Sequence, residues 1–325
     1  MSCRRWCKCG GKPQFIEIPS LPFRERMINP LQRSIGLEIE LNPVGELRDA
    51  EKLPLFVKYQ LVRDGSLRNG GQEMVVSPLQ GDLFVKGIIS LGRMFTFCGS
   101  NVDQYCGFHV HIGATDFDPF QLRRLILLYS KVEGEIFKYL IAPGRDIPHS
   151  EGGYCESYKM SPAWYEGLRK CKSSSEIKKY LIHWLYGAGI KMWSQMGGRN
   201  GKKIKNGKYV PIPTFHDEIG NLPNLRAHKY EQCRYHGLNI HSWFQRGTVE
   251  FRQHEGTVDV EKLLYWPLFC VNLVEVASLL KDEEVGRIST LDEVVFGEWK
   301  KPLQLLTFPS ALKEWYKGMK QKKEG

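Results

Sequence analysis

The chain is 325 residues long, with 42% hydrophobic and 25% charged residues, a formal net charge of +10 and a sequence pI near 9.1. That length builds one large domain or two modest ones, and the composition excludes wholesale disorder. The basic excess suits a polyanionic partner such as nucleic acid, nucleotide phosphate or an acidic polymer, and equally serves solubility alone.

Nine cysteines, an odd number scattered without a dense framework, fit reduced thiols better than disulfides. No apolar run reads as long enough to span a bilayer, and residues 1–11 lack the apolar core of a signal peptide, so a cytoplasmic protein with no membrane partner is expected. Residues 1–30 read as a Cys/Arg-rich leader. Cys3, Cys7 and Cys9 lack both the paired C-x-x-C spacing and the fourth ligand of a zinc site. A catalytic domain is expected over 31–285, with a Gly/Lys-rich loop at 187–224, followed by a short helical basic tail over 286–325.

In residues 34–41, Ile35, Leu37, Ile39 and Leu41 alternate with Gly36, Glu38 and Glu40. A strand sends alternate side chains to opposite faces, so the two glutamates project together, away from the aliphatics. Residues 60–66 read as a strand entering an Asp64-Gly65 turn, and the chain returns through 72–77 with Glu73 on the same hairpin before Pro78 closes the strand. A helix is expected over 81–97, carrying Leu83, Val85, Ile88, Ile89 and Leu91.

Residues 107–113 repeat the strand design: Phe108, Val110 and Ile112 take one face, His109 and His111 the other. Cys106, just before them, reads as a small buried apolar residue. Asp118 followed by Pro119 is a cap-then-first-turn signal for a helix to residue 141. Residues 237–243 alternate Leu238 and Ile240 with Asn239 and His241, and residues 247–252 alternate Val249 and Phe251 with Glu250 and Arg252. Residues 258–280 are apolar nearly all round and read as a buried central helix, kinked or broken near its start by Pro267. The lysines at 313, 317, 320, 322 and 323 read as a solvated helix end.

The polar faces of these strands carry Glu/Glu, His/His, Asn/His and Glu/Arg in place of the Lys, Thr and Ser of an ordinary solvated face. Paired together they would form one surface of carboxylates, imidazoles and a guanidinium. Carboxylates packed this densely repel unless cations join them, and oxygen ligands with an imidazole suit Mg²⁺ or Mn²⁺ better than zinc. Arg252 and Arg234 have planar forks suited to phosphate. No P-loop is present, since Gly201-Lys202-Lys203 lacks the upstream glycine and the Ser/Thr, and no dinucleotide-binding glycine motif follows a strand.

The ordered set GLEIE (36–40), DGS (64–66), EMVVSP (73–78), CGFHVHI (106–112), CRYHGLNIHS (233–242) and GTVEFRQHEGT (247–257) resembles the amidoligase family within the glutamine synthetase and glutamate–cysteine ligase superfamily. The resemblance implies an α+β fold in which a curved antiparallel sheet has helices on its apolar face and ATP with two or three Mg²⁺ or Mn²⁺ ions on the other. It implies a carboxylate–amine ligase working through an acyl phosphate. By motif, Glu38, Glu40, Asp64, Glu73, His109 and Glu250 look like metal ligands, with Glu250 also at the reaction centre. Arg252 looks like the arginine on the transferred phosphate, His111, Arg234 and Asn239 like nucleotide or substrate contacts, and Glu255 like a substrate-site acid. Substrates would be a carboxylate and an amine, among them amino acids, peptides or protein side chains. The alternative is a metal-dependent hydrolase or nuclease using the same Glu/His cluster, though nucleic acid is the less favoured partner.

Overall fold

The computed structural model describes residues 33–42, 55–63, 67, 70–147, 153, 155–158, 160–186, 202–205, 208–211, 234–297 and 308–325. The leader, Asp64 with its turn, and most of the 187–224 stretch lie outside the described residues.

In chain order the elements are β1 (Ile35–Leu41), β2 (Tyr59–Arg63), β3 (Gln72–Leu79), α1 (Asp82–Cys98), β4 (Gly107–Gly113), α2 (Pro119–Leu140), α3 (Pro162–Lys170) and α4 (Ser174–Tyr186). There follow β5 (Lys202–Lys205), β6 (Lys208–Pro211), β7 (Leu238–Asn239), α5 (His241–Arg246), β8 (Thr248–Glu255), α6 (Val260–Leu279), α7 (Asp282–Arg287), α8 (Leu291–Phe296) and α9 (Ser310–Glu324). Six strands form one antiparallel sheet in the order β2-β3-β1-β4-β8-β7.

The alternation in β1, β4 and β8 supplies the sheet's apolar face. Ile35, Leu37, Ile39, Phe108, Val110, Ile112, Val249 and Phe251 are all buried. Helices α1, α2 and α6 cover that face: Phe251 packs edge-on against Tyr129 of α2 and Trp266 of α6. Helix α2 starts as its sequence dictates, with Asp118 capping Gln121 and the Gln121 side chain returning the bond to the Asp118 amide.

Several expectations are corrected. Helix α6 runs unbroken through Pro267, because one lost backbone bond is outweighed by burial along nearly its whole length. By length and composition α6 would pass for a membrane-crossing segment, yet most of it is buried inside the protein. Leu83 is exposed, since α1 buries Phe84, Ile88, Leu91, Met94 and Phe95 instead. Pro78 lies within β3, where the β1–β3 register shifts and no ladder donor is required. Part of the expected 187–224 loop is an antiparallel hairpin, β5 with β6.

The strand expected over 237–243 ends after Asn239, and the chain turns into α5, whose Trp243 donates its indole N–H to the Ala114 carbonyl. Helix α9 is docked along one side, while Lys317 and residues 321–325 at its end are exposed as expected. It buries Leu312, Trp315 and Tyr316, and its Lys320 and Tyr316 both bond Asp292 of α8.

Candidate functional site

Antiparallel partners directly opposite one another share a face. The register therefore fixes which polar side chains meet. Glu38 lies opposite His109, Gly36 opposite His111, His111 opposite Glu250, Glu250 opposite Asn239, and Glu40 opposite Glu73. Strands distant in sequence thus place four carboxylates and two imidazoles side by side. A Cβ at position 36 would come into contact with the His111 Cβ at 3.4 Å, so Gly36 keeps the packing beside that imidazole light.

Glu38 is the hub. Its carboxylate lies 3.3 Å from His109 Nδ1, 3.2 Å from His111 Nε2 and 3.6 Å from the Arg246 guanidinium. His109 also approaches Glu40 at 3.8 Å and Glu250 at 4.0 Å. The other nitrogen of His111 faces the Thr248 hydroxyl at 3.2 Å, with Ser242 at 3.5 Å. Asn239 Nδ2 donates to Glu250 at 2.6 Å, and Arg252 forms a buried ion pair with the other oxygen of Glu250.

The charges hold one another in place. Burial alone would raise the Glu38 pKa, but His111 and His109 pull it well below the ordinary carboxylate range. Burial opposes ionisation of Glu250 too, and Arg252 with His111 overcomes it, leaving the group at about 2. Burial would lower His111, yet Glu250 and Glu38 raise it.

Two groups of ligand atoms lie close enough to share a cation, Glu38–Glu73–His109 and Glu38–His111–Glu250, the atoms of each within 4.8 Å of one another. This donor set, rich in carboxylate oxygen with one imidazole per group, fits Mg²⁺ or Mn²⁺. Geometry therefore sets His111 among candidate cation ligands, where the sequence resemblance implied a nucleotide or substrate contact. Glu40 sits beside the first group, accepting from the Gly107 amide at 2.5 Å. Arg234 and Arg252 both stand over the Tyr235 ring, at 5.5 and 6.0 Å, at one margin of the face.

Glu255 lies opposite Gly107, but its carboxylate is engaged with Lys262 at 2.7 Å and with the Ala142 amide at 3.0 Å. Burial would raise its pKa, and His254 and Lys262 hold it at about 2. Cys106 is buried as expected, which pushes its thiol up to about 11.

Two cations at the site escaped sequence reading. Arg246, at the end of α5, reaches Glu38. Arg145 follows a turn made at Gly144 with φ 81° and lies against the β4–β8 end of the face. Neither sits in an alternating strand, so only the Pro-Gly-Arg turn could have signalled Arg145.

A family model described as "Putative amidoligase enzyme" matches residues 58–274, about two-thirds of the chain. The match takes in every candidate residue above except Glu38 and Glu40. No curated protein matches the chain.

Proposed function

This chain belongs to the amidoligase family, and on that premise we propose that it is an ATP-dependent ligase joining a carboxylate to an amine through an acyl phosphate, on a glutamine-synthetase-like sheet. The observation that carries this reading is the convergence of Glu38, Glu40, Glu73, His109, His111, Glu250 and Arg252 on one sheet face. Glu38, Glu73 and His109 would hold one divalent ion and Glu38, His111 and Glu250 another, with Glu40 and Asp64 as further ligands. Bound there, two Mg²⁺ or Mn²⁺ ions would supply the positive charge that screens the polyphosphate of ATP.

The chain's own residues supply the remainder. Arg252, held in plane by Glu250, faces the transferred phosphoryl group, and Asn239 keeps the Glu250 carboxylate turned toward His111. Arg234, beside Tyr235, is the nucleotide or substrate contact at the margin. A carboxylate oxygen takes the γ-phosphoryl group and ADP leaves. The amine nitrogen then attacks the acyl carbon, phosphate departs, and the nitrogen's proton passes to the departing phosphate to leave the amide. The Lys262–Glu255 pair serves the substrate end of the face. The unit over 31–285 is the proposed catalytic domain.

The test is release of ADP and phosphate by the purified chain, measured with and without Mg²⁺ and across a panel of carboxylates and amines. Release should require both the cation and a carboxylate, and Glu250→Gln or Arg252→Lys should abolish it. Full turnover in either variant would remove these roles. Cleavage of DNA or RNA with Mg²⁺ alone, without ATP consumption on any panel, would overturn the ligase reading.

A further inference from the structure

Resting on the ATP assignment above, we propose that Arg145 is the residue that distinguishes a nucleoside triphosphate from a diphosphate, its guanidinium taking an oxygen of the terminal phosphate. Arg145 Nε donates to the Gln253 carbonyl at 3.4 Å, Nη1 to Cys106 at 3.3 Å and Nη2 to His254 at 3.3 Å. Three backbone oxygens thus fix the plane of the fork and use three of its five N–H donors. All three acceptors are neutral. Among the described residues no carboxylate lies within ion-pair distance of this guanidinium.

The other arginines of the site differ. Arg252 is bound to Glu250, and Arg246 reaches Glu38 from a half-exposed position. Arg145 instead makes no ion pair with an acid among the described residues, its fork resting on backbone oxygens alone. Its position relative to the ligand cluster is given by Gly107. A Cβ built there would lie 2.9 Å from His109 Nε2, 3.2 Å from Arg145 Nη2 and 3.2 Å from Glu40 Oε2. The absent side chain thus leaves a notch, narrower than a methyl group, edged by a guanidinium, an imidazole and a carboxylate.

A cation held by Glu38, Glu73 and His109 would stand next to this notch. An oxyanion drawn to that cation comes within reach of the two remaining Arg145 N–H groups. The γ-phosphate of ATP, doubly charged with three free oxygens, can engage cation and fork together, and a diphosphate bound in the same register has no group at that place. The acid substrate's carboxylate offers the same oxyanion chemistry with one charge fewer, and the experiment separates the two.

Mg·ATP and Mg·ADP affinities are measured by calorimetry on the full chain, for wild type, Arg145→Gln and Arg145→Lys. Lysine keeps the charge and loses the planar fork that the three backbone oxygens hold. Wild type should prefer ATP. Arg145→Gln should weaken ATP about 10- to 100-fold, the range of a lost charged hydrogen bond, while ADP stays within about twofold. Arg145→Lys should shift the ratio in the same direction by a smaller factor, and it carries the comparison if Arg145→Gln fails to fold. Equal weakening of both nucleotides, or an unchanged ratio, overturns the role of Arg145 and leaves the ligase reading standing. A preserved ATP preference with a raised KM for the carboxylate assigns Arg145 to the acid substrate and likewise overturns the phosphate role. No nucleotide binding in wild type defeats the ligase reading itself.

Discussion

Glu38→Gln is the sharpest perturbation of the site, because one carboxylate belongs to both candidate cation groups. Glutamine keeps the shape and removes the charge. With ligand atoms no more than 4.8 Å apart, an ion at the centre of either group lies at most about 2.8 Å from each, and slight contraction reaches the 2.0–2.2 Å expected for Mg²⁺ or Mn²⁺. At an effective dielectric near 20, a divalent ion and one carboxylate at that separation attract by roughly 12 kcal/mol before desolvation is subtracted. Breaking a buried pair from one side typically costs about 3–5 kcal/mol, so affinity should fall at least about a hundredfold. Titrating Mn²⁺ while following free ion by electron paramagnetic resonance reads both number and affinity. Two equivalents should bind to wild type, one to Glu73→Gln, and none to Glu38→Gln in the concentration range that saturates wild type. Two equivalents at near-normal affinity in Glu38→Gln would refute the shared ligand.

Three further outcomes follow from the same packing. Arg252→Ala leaves buried Glu250 without its counter-charge and should cost about 3–5 kcal/mol in urea unfolding, with part regained in Mn²⁺, which can neutralise the same carboxylate. Glu255 has its pKa held at about 2 against an ordinary 4.5, so its contribution is whole above pH 4.5 and is lost as pH falls toward 2. That contribution is at most about 3 kcal/mol, and Lys262→Met should shrink this acid-side loss in thermal melts taken across that range. Phe251→Ala, which empties the space between Tyr129 and Trp266, should cost about 3–5 kcal/mol in urea midpoint shifts.

The strands that carry the site were legible because each has one apolar face. Ile35 to Leu41, Phe108 to Ile112 and Val249 to Phe251 alternate with period two, and that period alone aims Glu38, His109 and Glu250 away from the core. Register was not legible, since no local pattern states that Glu38 meets His109 or that Glu250 meets His111. The second group, with His111 as a ligand candidate, emerges only from that register. At residues 237–243 the alternation misled: Leu238 and Asn239 pair with β8, but Trp243 finds a better partner in the Ala114 carbonyl by turning into α5. Glu255 shows the same limit, because the register slip between Phe108 and Val110 and the proximity of Lys262 are tertiary facts.

The strand order has a bearing on how the protein matures. Glu38, Glu73 and His109 come from β1, β3 and β4, all made early, whereas Glu250 arrives on β8 after α2, α3, α4, the β5–β6 hairpin, β7 and α5 among the described residues. Pairings this far apart in sequence form late and slowly. A nascent chain would then acquire one ion-gripping triad long before the other, and catalytic competence would await the strand inserted between β4 and β7.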